Sequence, residues 1–362
     1  MLPIIDVRTH TSAFARGEAY GAQARPQVAR SIATYKLVFA GNGIGWEEAG
    51  RRARRYVEAI AAVDPALVEE LEGIARGAEV GVEEILALNC RSEILPTTFL
   101  DIFADLSECT SLVVAPEGST DRHTRLVQNW DWVGLQREAL VLLRTVSSDG
   151  VPIDTLTEAG MVAKIGMNGH GLAVGLNMLR SRTDGREPGL PVHVLLRHSL
   201  SRATVAEVRE LFSELEQGVG FASASNMPCA DATGDVGHFE FSPSGWSELR
   251  PTEGIAVHTN HFLCGPLTGL QAPIECRAST DNRLDCARAY AARGPLSVAD
   301  LQALLRDESR GDLSICRHPD PTLPPEGRVE SVIGVILDCT RRDWLLAYGI
   351  PSASDFARLP LG

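Results

Sequence analysis

Hydrophobic residues recur at helical spacing over the first hundred residues of the chain. Four segments follow this pattern, at residues 17–39, 46–63, 64–80 and 82–95. Pro26 is expected to kink or divide the first of them, while Asp64 and Pro65 suit the N-cap and first helical position of the third. The pattern predicts a helical layer up to about residue 100.

From Cys109 onward the pattern changes to short apolar runs separated by turn residues. Three pairs of runs predict antiparallel hairpins: 110–116 with 125–132, 139–146 with 151–159, and 161–167 with 172–178. Helical patterns return at 192–200, at 204–217 after Thr204 as N-cap, at 281–293 and at 297–306. Further strands are predicted at 237–243, 245–250, 254–260, 331–337 and 344–350, with a proline-rich loop at 317–328.

This order of elements predicts an α+β fold in which helices cover each face of two packed antiparallel sheets. Such a four-layer αββα sandwich would bury all the elements in one structural domain. The length of 362 residues, with 44% hydrophobic and 22% charged residues, is ordinary for a globular chain.

The net charge and the cysteine content limit the binding partners and the cellular compartment that we expect for this protein. A formal net charge of −13 without a basic stripe argues against nucleic acid and against an anionic membrane surface. The N-terminus lacks the pattern of a secretory signal, and no apolar run is long enough to span a bilayer. Eight scattered cysteines without a CxxC pair signal neither a zinc framework nor a disulfide scaffold, so we expect reduced thiols in the cytoplasm.

Cys109 stands at the first position of a strand-like run, where a structural cysteine is unusual. If the bond after Glu108 is cut, Cys109 carries both a thiol and a free α-amine, whose ordinary pKa values of about 8.5 and 7.7–8.0 lie near working pH. One residue can then supply nucleophile and base, and the same thiol can attack the Glu108 carbonyl. The alternative is a half-buried structural cysteine.

Three further segments place polar residues at strand ends. In QNWDW, Asp131 lies between Trp130 and Trp132, and its carboxylate could orient an amine. In HTNH, the amide of Asn260 could donate to an oxyanion, whereas two histidines without a third ligand are weak support for zinc. In SICR, Arg317 could lower a thiol pKa or bind a carboxylate. The alternatives are that Asp131 is an ordinary turn residue and that Arg317 is an ordinary surface arginine.

The stretch NGHGLAVGLN offers Asn177, at the end of an apolar run, as a second oxyanion donor, while Asn168 is expected to shape the turn. Its glycines lack the strand, loop and helix order of a dinucleotide site. We predict no cofactor and no metal.

Seven segments taken together resemble one family: GIARGAEVGVEEILALNCRSE, ECTSLVV, QNWDW, TEAGMVAKIGMNGHGLAV, EFSP, VHTNH and SICR. The chain resembles the acyl-coenzyme A:6-aminopenicillanic acid acyltransferases and the wider peptidase C45-like group of N-terminal nucleophile (Ntn) hydrolases. The resemblance implies an αββα precursor that cuts itself before the nucleophile. Residues 1–108 then form an α chain that stays associated with a β chain of residues 109–362.

The resemblance also implies roles for individual residues. Cys109 would be the nucleophile, Asp131 the residue that orients its amine, Asn260 an oxyanion donor and Arg317 an active-site arginine. Asn177 follows from the related cholylglycine hydrolase pattern. Ser242 of EFSP would support processing or substrate binding, and Trp130 and Trp132 would exclude water from the substrate.

The chain departs from the family at Glu108, because the acyltransferases have glycine before the nucleophile. Two hypotheses follow: a self-processing amidohydrolase or acyltransferase acting on a small acyl amide or acyl-CoA-type thioester, or an unprocessed, catalytically silent protein that binds a small ligand. A third interpretation is a papain-like protease that uses His258 or His261.

Overall fold

The computed structural model describes residues 2–95, 109–274 and 277–362. Its helices are α1 (Ala13–Gln23), α2 (Arg25–Gly41), α3 (Trp46–Ala53), α4 (Val57–Val63), α5 (Pro65–Ala78), α6 (Val82–Asn89), α7 (Arg91–Ile94), α8 (Val192–Ser199), α9 (Val205–Gln217), α10 (Gly265–Thr268), α11 (Arg277–Ala291) and α12 (Val298–Leu305). The predicted division of the first segment is confirmed, because α1 and α2 meet at Ala24 and Pro26 occupies the first turn of α2.

Its strands are β1 (Ile4–Asp6), β2 (Cys109–Val114), β3 (Arg125–Val133), β4 (Leu140–Val146), β5 (Pro152–Glu158), β6 (Ile165–Asn168), β7 (Ala173–Val174), β8 (Asn177–Met178), β9 (Ser225–Ala230), β10 (Val236–Ser242), β11 (Gly245–Leu249), β12 (Ile255–His258), β13 (Val329–Asp338), β14 (Asp343–Tyr348) and β15 (Ala357–Pro360). The predicted hairpins β2–β3 and β4–β5 are confirmed.

Two sheets are built from the described strands. One has the order β1-β4-β5-β6-β7-β9-β10-β11, with β8 paired to β9, and the other has the order β12-β2-β3-β13-β14-β15. Neighbouring strands run antiparallel except at one edge, where β1 pairs with β4 in parallel. The strand that begins at Cys109 therefore lies inside the second sheet, between β12 and β3.

The sheets pack face to face, with β2 and β3 against β9 and with β2 also against β10. The helices α1, α2 and α9 contact the first sheet, and α11 and α12 contact the second. This arrangement confirms the predicted four-layer αββα sandwich. The two large hydrophobic clusters follow from it: one fills the space between the sheets and under the N-terminal helices, and the other lies between the second sheet and α11 and α12.

The N-terminal helical layer is tied by buried hydrogen bonds to the connection between β5 and β6 of the first sheet. The Tyr20 hydroxyl donates to Met161 O over 3.2 Å, and Asn89 Nδ2 donates to Gly160 O over 2.8 Å. Each bond joins residues on opposite sides of Cys109 in the sequence. The segments before and after that residue therefore share one core.

Glycines allow α1 and α5 to approach backbone to backbone. A Cβ on Gly17 would lie 2.1 Å from Glu70 O, and one on Gly77 would lie 1.9 Å from Glu18 O. Only glycine fits such a contact without moving the helices apart, so both residues fix the geometry of the helical layer.

Two local features differ from the expectations. Thr204 caps α9 as predicted, through Glu207 N at 3.2 Å, whereas the Asp64 side chain makes no capping bond to α5 and lies 3.3 Å from His198 Nδ1. The third hairpin is only partly as predicted, because β8 leaves β6 and β7 and pairs with β9. Across the described ranges, no helix has the combination of length and apolar character needed to cross a membrane.

Candidate active site

Cys109 is held at the start of β2 by hydrogen bonds to its own backbone. Its N–H donates to Asn260 Oδ1 over 2.7 Å, and its carbonyl oxygen accepts from Arg283 Nη1 over 2.6 Å. The residue is only 6% exposed. A cysteine at a strand start is thus fixed in position between the sheets, as a nucleophile requires.

A small cavity of about 10 Å³ adjoins Cys109, which is room for about one water molecule. It is lined by Arg91, Ser92, Cys109, Asp131, Trp132, Lys164, Leu176 and Met178. The structure therefore brings together three of the residues that were predicted from the sequence, Cys109, Asp131 and Trp132.

Asp131 is fully buried on β3 and keeps one oxygen available. Ser331 Oγ donates to Oδ1 over 2.6 Å, and Oδ2 has no hydrogen-bond partner among the described residues. Burial raises the pKa of this carboxyl to about 7, against the opposing effects of Arg283 and Ser331. A buried carboxylate oxygen without a donor suits an ammonium group placed beside it.

Asn260 faces Cys109 with its oxygen rather than with its amide nitrogen. Oδ1 accepts from Cys109 N and from Arg283 Nη2, at 2.7 and 3.0 Å, and Nδ2 donates to Met178 O over 3.0 Å. In the uncut chain this amide holds the Cys109 nitrogen, and its role as an oxyanion donor stays a prediction.

Asn177 lies beside the same strand, at the start of the two-residue strand β8. Its Oδ1 accepts from Ser111 Oγ over 2.5 Å and from Asn226 Nδ2 over 3.0 Å. Its Nδ2 is buried and lacks a hydrogen-bond partner within the described ranges. This free donor is chemically suited to an oxyanion.

Asn177, Asn260 and Trp130 do not line the cavity but lie close to it, whereas the described contacts of Arg317 and Ser242 lie elsewhere. Arg317 N donates to Ser331 Oγ over 2.9 Å, and Ser331 in turn donates to Asp131. Ser242 ends β10, and its hydroxyl accepts from Ser244 N at 3.2 Å in the turn to β11. Glu108, the predicted processing residue beside Cys109, lies outside the described residues.

A buried cluster of charges beside the cavity was not predicted. Lys164 Nζ lies 3.6 Å from both Glu158 Oε2 and the centroid of the Trp130 ring. The Arg91 guanidinium lies 4.4 Å from the Trp132 ring centroid and 3.5 Å from Glu158 Oε2. Burial and the nearby Arg91 lower the pKa of Lys164 to about 7.

Arg283 on α11 was also missed. It is fully buried and donates to Cys109 O, to Thr110 Oγ1 at 3.1 Å and to Asn260 Oδ1. The sequence signal for both omissions was a charge inside an otherwise apolar pattern, at VAKIG for Lys164 and on the buried face of a helix for Arg283.

The state of the thiol follows from this environment. Burial and the charge of Asp131 raise the pKa of the Cys109 thiol, while Lys164, the Asp131 backbone and Arg283 act in the opposite direction. The net result is a protonated thiol at neutral pH. Nucleophilic attack therefore needs a proton acceptor.

The two histidines of HTNH are engaged elsewhere. His258 places its ring nitrogens 2.7 Å from Glu240 Oε1 and 2.8 Å from Thr259 O. His261 Nδ1 lies 2.9 Å from Thr280 Oγ1, and burial lowers the pKa of this histidine to about 4. Neither lines the Cys109 cavity, so the geometry does not favour a papain-like thiol–imidazole pair.

A different group of side chains has a composition that could hold a metal ion. Ligand atoms of Glu308, Cys316 and His318 all lie within 4.8 Å of one another. Glu308 and His318 are exposed, and His318 Nε2 lies 2.6 Å from Glu308 Oε1. This hydrogen bond alone accounts for their proximity.

Comparison with known proteins identifies relatives over most of the chain. A model of the acyl-coenzyme A:6-aminopenicillanic acid acyl-transferase family matches residues 118–322, which begin after Cys109. The acyl-coenzyme A:6-aminopenicillanic-acid-acyltransferase 40 kDa form of Emericella nidulans is 32% identical over 298 residues, which are 80% of this chain and 77% of that protein.

Solved structures with a similar chain path include penicillin V acylase from Agrobacterium tumefaciens. It has a TM-score of 0.48 and 16% identity, over 70% of this chain and 86% of that one. A mutant of conjugated bile acid hydrolase from Clostridium perfringens has a TM-score of 0.39 and 10% identity, over 70% of this chain and 97% of that one.

Proposed function

Because the chain belongs to the acyl-coenzyme A:6-aminopenicillanic acid acyl-transferase family, we propose that it is a self-processing acyltransferase or amidohydrolase with Cys109 as its nucleophile. The family supports acyl transfer or amide hydrolysis. The finer proposal is that the chain cuts itself between Glu108 and Cys109 and that an acyl group is then carried on the Cys109 thiol.

The arrangement around Cys109 carries this proposal. A cysteine at the first position of a central strand has its nitrogen bound by Asn260 and its carbonyl oxygen bound by Arg283. A strand start whose nitrogen and carbonyl oxygen are both held can lose the preceding peptide bond and still keep its thiol in place.

In the proposed cycle the residues take the roles that the family resemblance implied. The Cys109 thiolate attacks the carbonyl of a small acyl amide or acyl thioester, and the new α-amine takes and returns the proton. Asp131 Oδ2 accepts a hydrogen bond from that amine. Asn177 Nδ2 and, once it is released from Met178 O, Asn260 Nδ2 donate to the oxyanion.

The substrate proposal is limited to a chemical class. The Emericella nidulans relative is named for an acyl-coenzyme A donor and 6-aminopenicillanic acid, so we propose a penicillin-type amide, an amino-acyl amine or an acyl-CoA-type thioester. Residues 1–108 and 109–362 are proposed to be the fragments, which remain associated. We place the protein in the cytoplasm, where reduced cysteines such as those of the described residues are the rule.

The alternative is a silent, uncut binding protein. The raised pKa of the Cys109 thiol and the cavity of only about 10 Å³ favour it, because both describe a closed site in the continuous chain. The two functions differ in what happens to the polypeptide.

Denaturing mass spectrometry of a fresh preparation separates them. We expect two fragments that break at Glu108–Cys109, which are absent in Cys109→Ala, and an acyl adduct on the fragment that begins with Cys109 after incubation with penicillins, acyl amides or acyl-CoA thioesters. A single intact species that traps no acyl group would overturn the enzyme proposal and support the binding protein instead.

A further inference from the structure

The first chemical step of self-cleavage lacks a base in the roles assigned above. In the uncut chain the nitrogen of Cys109 is an amide that donates to Asn260 Oδ1, so it cannot accept a proton. The thiol has a raised pKa and is buried. Some other group must take its proton before the Glu108 carbonyl can be attacked.

Among the described residues that line the Cys109 cavity there are two candidates. Asp131 and Lys164 can each accept a proton near neutral pH, whereas Arg91 stays protonated and the other lining residues have no suitable base. The choice therefore lies between a carboxylate and an amine.

The strand register shows which of the two side chains, Asp131 or Lys164, lies on the same face of the sheet as the Cys109 thiol. Cys109 is directly opposite Trp130 in the β2–β3 ladder, and opposed side chains stand next to each other on the same face of a sheet. Lys164 Nζ lies over the Trp130 ring at 3.6 Å, on that same face. Asp131 follows Trp130, so its side chain leaves the opposite face, where it meets Ser331.

The surroundings of Lys164 favour a neutral amine. It is fully buried, and the charged or titratable groups around it among the described residues are Arg91 on α7, Glu158 on β5, Cys109 on β2 and His193 on α8. Burial and Arg91 lower its pKa to about 7, while Glu158 and Cys109 oppose this. This shift makes the neutral amine accessible near neutral pH.

The composition of the chain adds a separate argument. Of 34 lysines and arginines only two are lysines, Lys36 and Lys164. Arginine cannot be deprotonated at any working pH, whereas a buried lysine can. Lys164, which lines the Cys109 cavity, is therefore a basic residue that can lose its proton and act as a base.

We propose that Lys164 is the proton acceptor for the Cys109 thiol during self-cleavage, before the α-amine exists. This inference rests on the proposed function. The thiol proton passes across the cavity to the neutral Nζ, and the thiolate attacks the Glu108 carbonyl carbon. The Glu108–Cys109 C–N bond breaks, and the nitrogen takes the proton back from Nζ. Water then hydrolyses the thioester and releases the Glu108 carboxylate and the free thiol.

The rate of fragment formation tests this assignment. Lys164→Met is expected to slow the break by at least about 100-fold, the lower end for a lost general base. Lys164→Arg keeps the positive charge but not the base, and it is expected to be as slow. Lys36→Met is the matched control, because Lys36 also lies over an indole ring, that of Trp46 at 5.4 Å, and should leave the rate unchanged.

Two readouts distinguish a base from a merely structural lysine. Propylamine added to Lys164→Ala should restore cleavage in proportion to the concentration of unprotonated propylamine. In the uncut Cys109→Ala chain, ¹³C-labelled lysine gives two side-chain signals, and that of Lys164 should titrate near pH 7.

The outcomes separate this inference from the function on which it rests. Cleavage of Lys164→Met or Lys164→Arg at the parent rate overturns the role of Lys164 and leaves self-processing intact, as does a Lys164 signal that titrates near pH 10. A parent chain that stays whole and traps no acyl group overturns the proposed function itself.

Discussion

Replacing Asp131 by asparagine should stabilise the uncut protein, and the gain should grow with pH. Burial raises the pKa of this carboxyl from 3.8 to about 7 in the folded chain. Between these two values the folded state binds a proton that the unfolded state has released, so the stability of the parent falls as the pH rises. Asparagine carries no charge and removes this dependence.

The size of the effect follows from the shift in pKa. Each pKa unit corresponds to about 1.4 kcal/mol, so the advantage of Asp131→Asn should grow by roughly 2–3 kcal/mol from pH 5 to pH 8 and stay level above that. The asparagine amide replaces the unpartnered Oδ2, which adds a cost that is independent of pH. The slope with pH is therefore the quantity to measure.

Urea denaturation at pH 5, 6 and 8 measures this slope. The parent and the Asp131→Asn variant both carry Cys109→Ala, which keeps their chains uncut. Asp121→Asn is the control of opposite sign. Arg125 holds the pKa of Asp121 below its ordinary range, so that variant should be less stable than its parent by a constant amount at all three pH values. A stability difference for Asp131→Asn that is flat or shrinks between pH 5 and pH 8 would refute the burial argument.

Three other substitutions have expected outcomes. Gly77→Ala pushes a methyl group into Glu18 O and should cost about 1–3 kcal/mol in thermal or urea unfolding, whereas Gly269→Ala, with open space around it, should be nearly neutral. Thr204→Ala removes the cap of α9 and should cost about 1 kcal/mol in the same assay; Thr204→Ser should restore it. Arg283→Met removes the donors to Cys109 O and Asn260 and should slow fragment formation about tenfold or more, while the exposed Arg288→Met on the same helix should have no effect.

Local patterns in the sequence predicted the layers of the fold. They did not predict strands whose pairing partners are distant in the sequence. β9 was not predicted because Pro228 interrupts it, and a proline normally excludes a central strand. The structure accommodates Pro228 opposite the break between β7 and β8, where Gly175 N donates to its carbonyl oxygen. The parallel pairing of β1 with β4 joins segments too distant for any local pattern to indicate.

The residues of the candidate site likewise fall into two groups: those with a local sequence signal and those brought in by the tertiary fold. Cys109, Asp131 and Asn260 could be proposed because each lies where an apolar strand begins or ends, which is a local signal. Arg283 reaches Cys109 across 174 positions, and Lys164 lies immediately before β6 of the facing sheet. Their sequence neighbourhoods say only that a charge is buried, because the partner that makes the burial tolerable is set by the tertiary fold.

The hydrogen bonds from Tyr20 and Asn89 to the β5–β6 connection have a consequence for folding if the chain is cut ahead of Cys109. The polypeptide would become two molecules, yet neither could fold its half of the hydrophobic interior without the other. Recovery from denaturant would then be a second-order process that slows on dilution, whereas the intact precursor would recover at a rate independent of its concentration. Self-cleavage would thus convert the folding of one chain into the association of two, whose yield depends on their concentration.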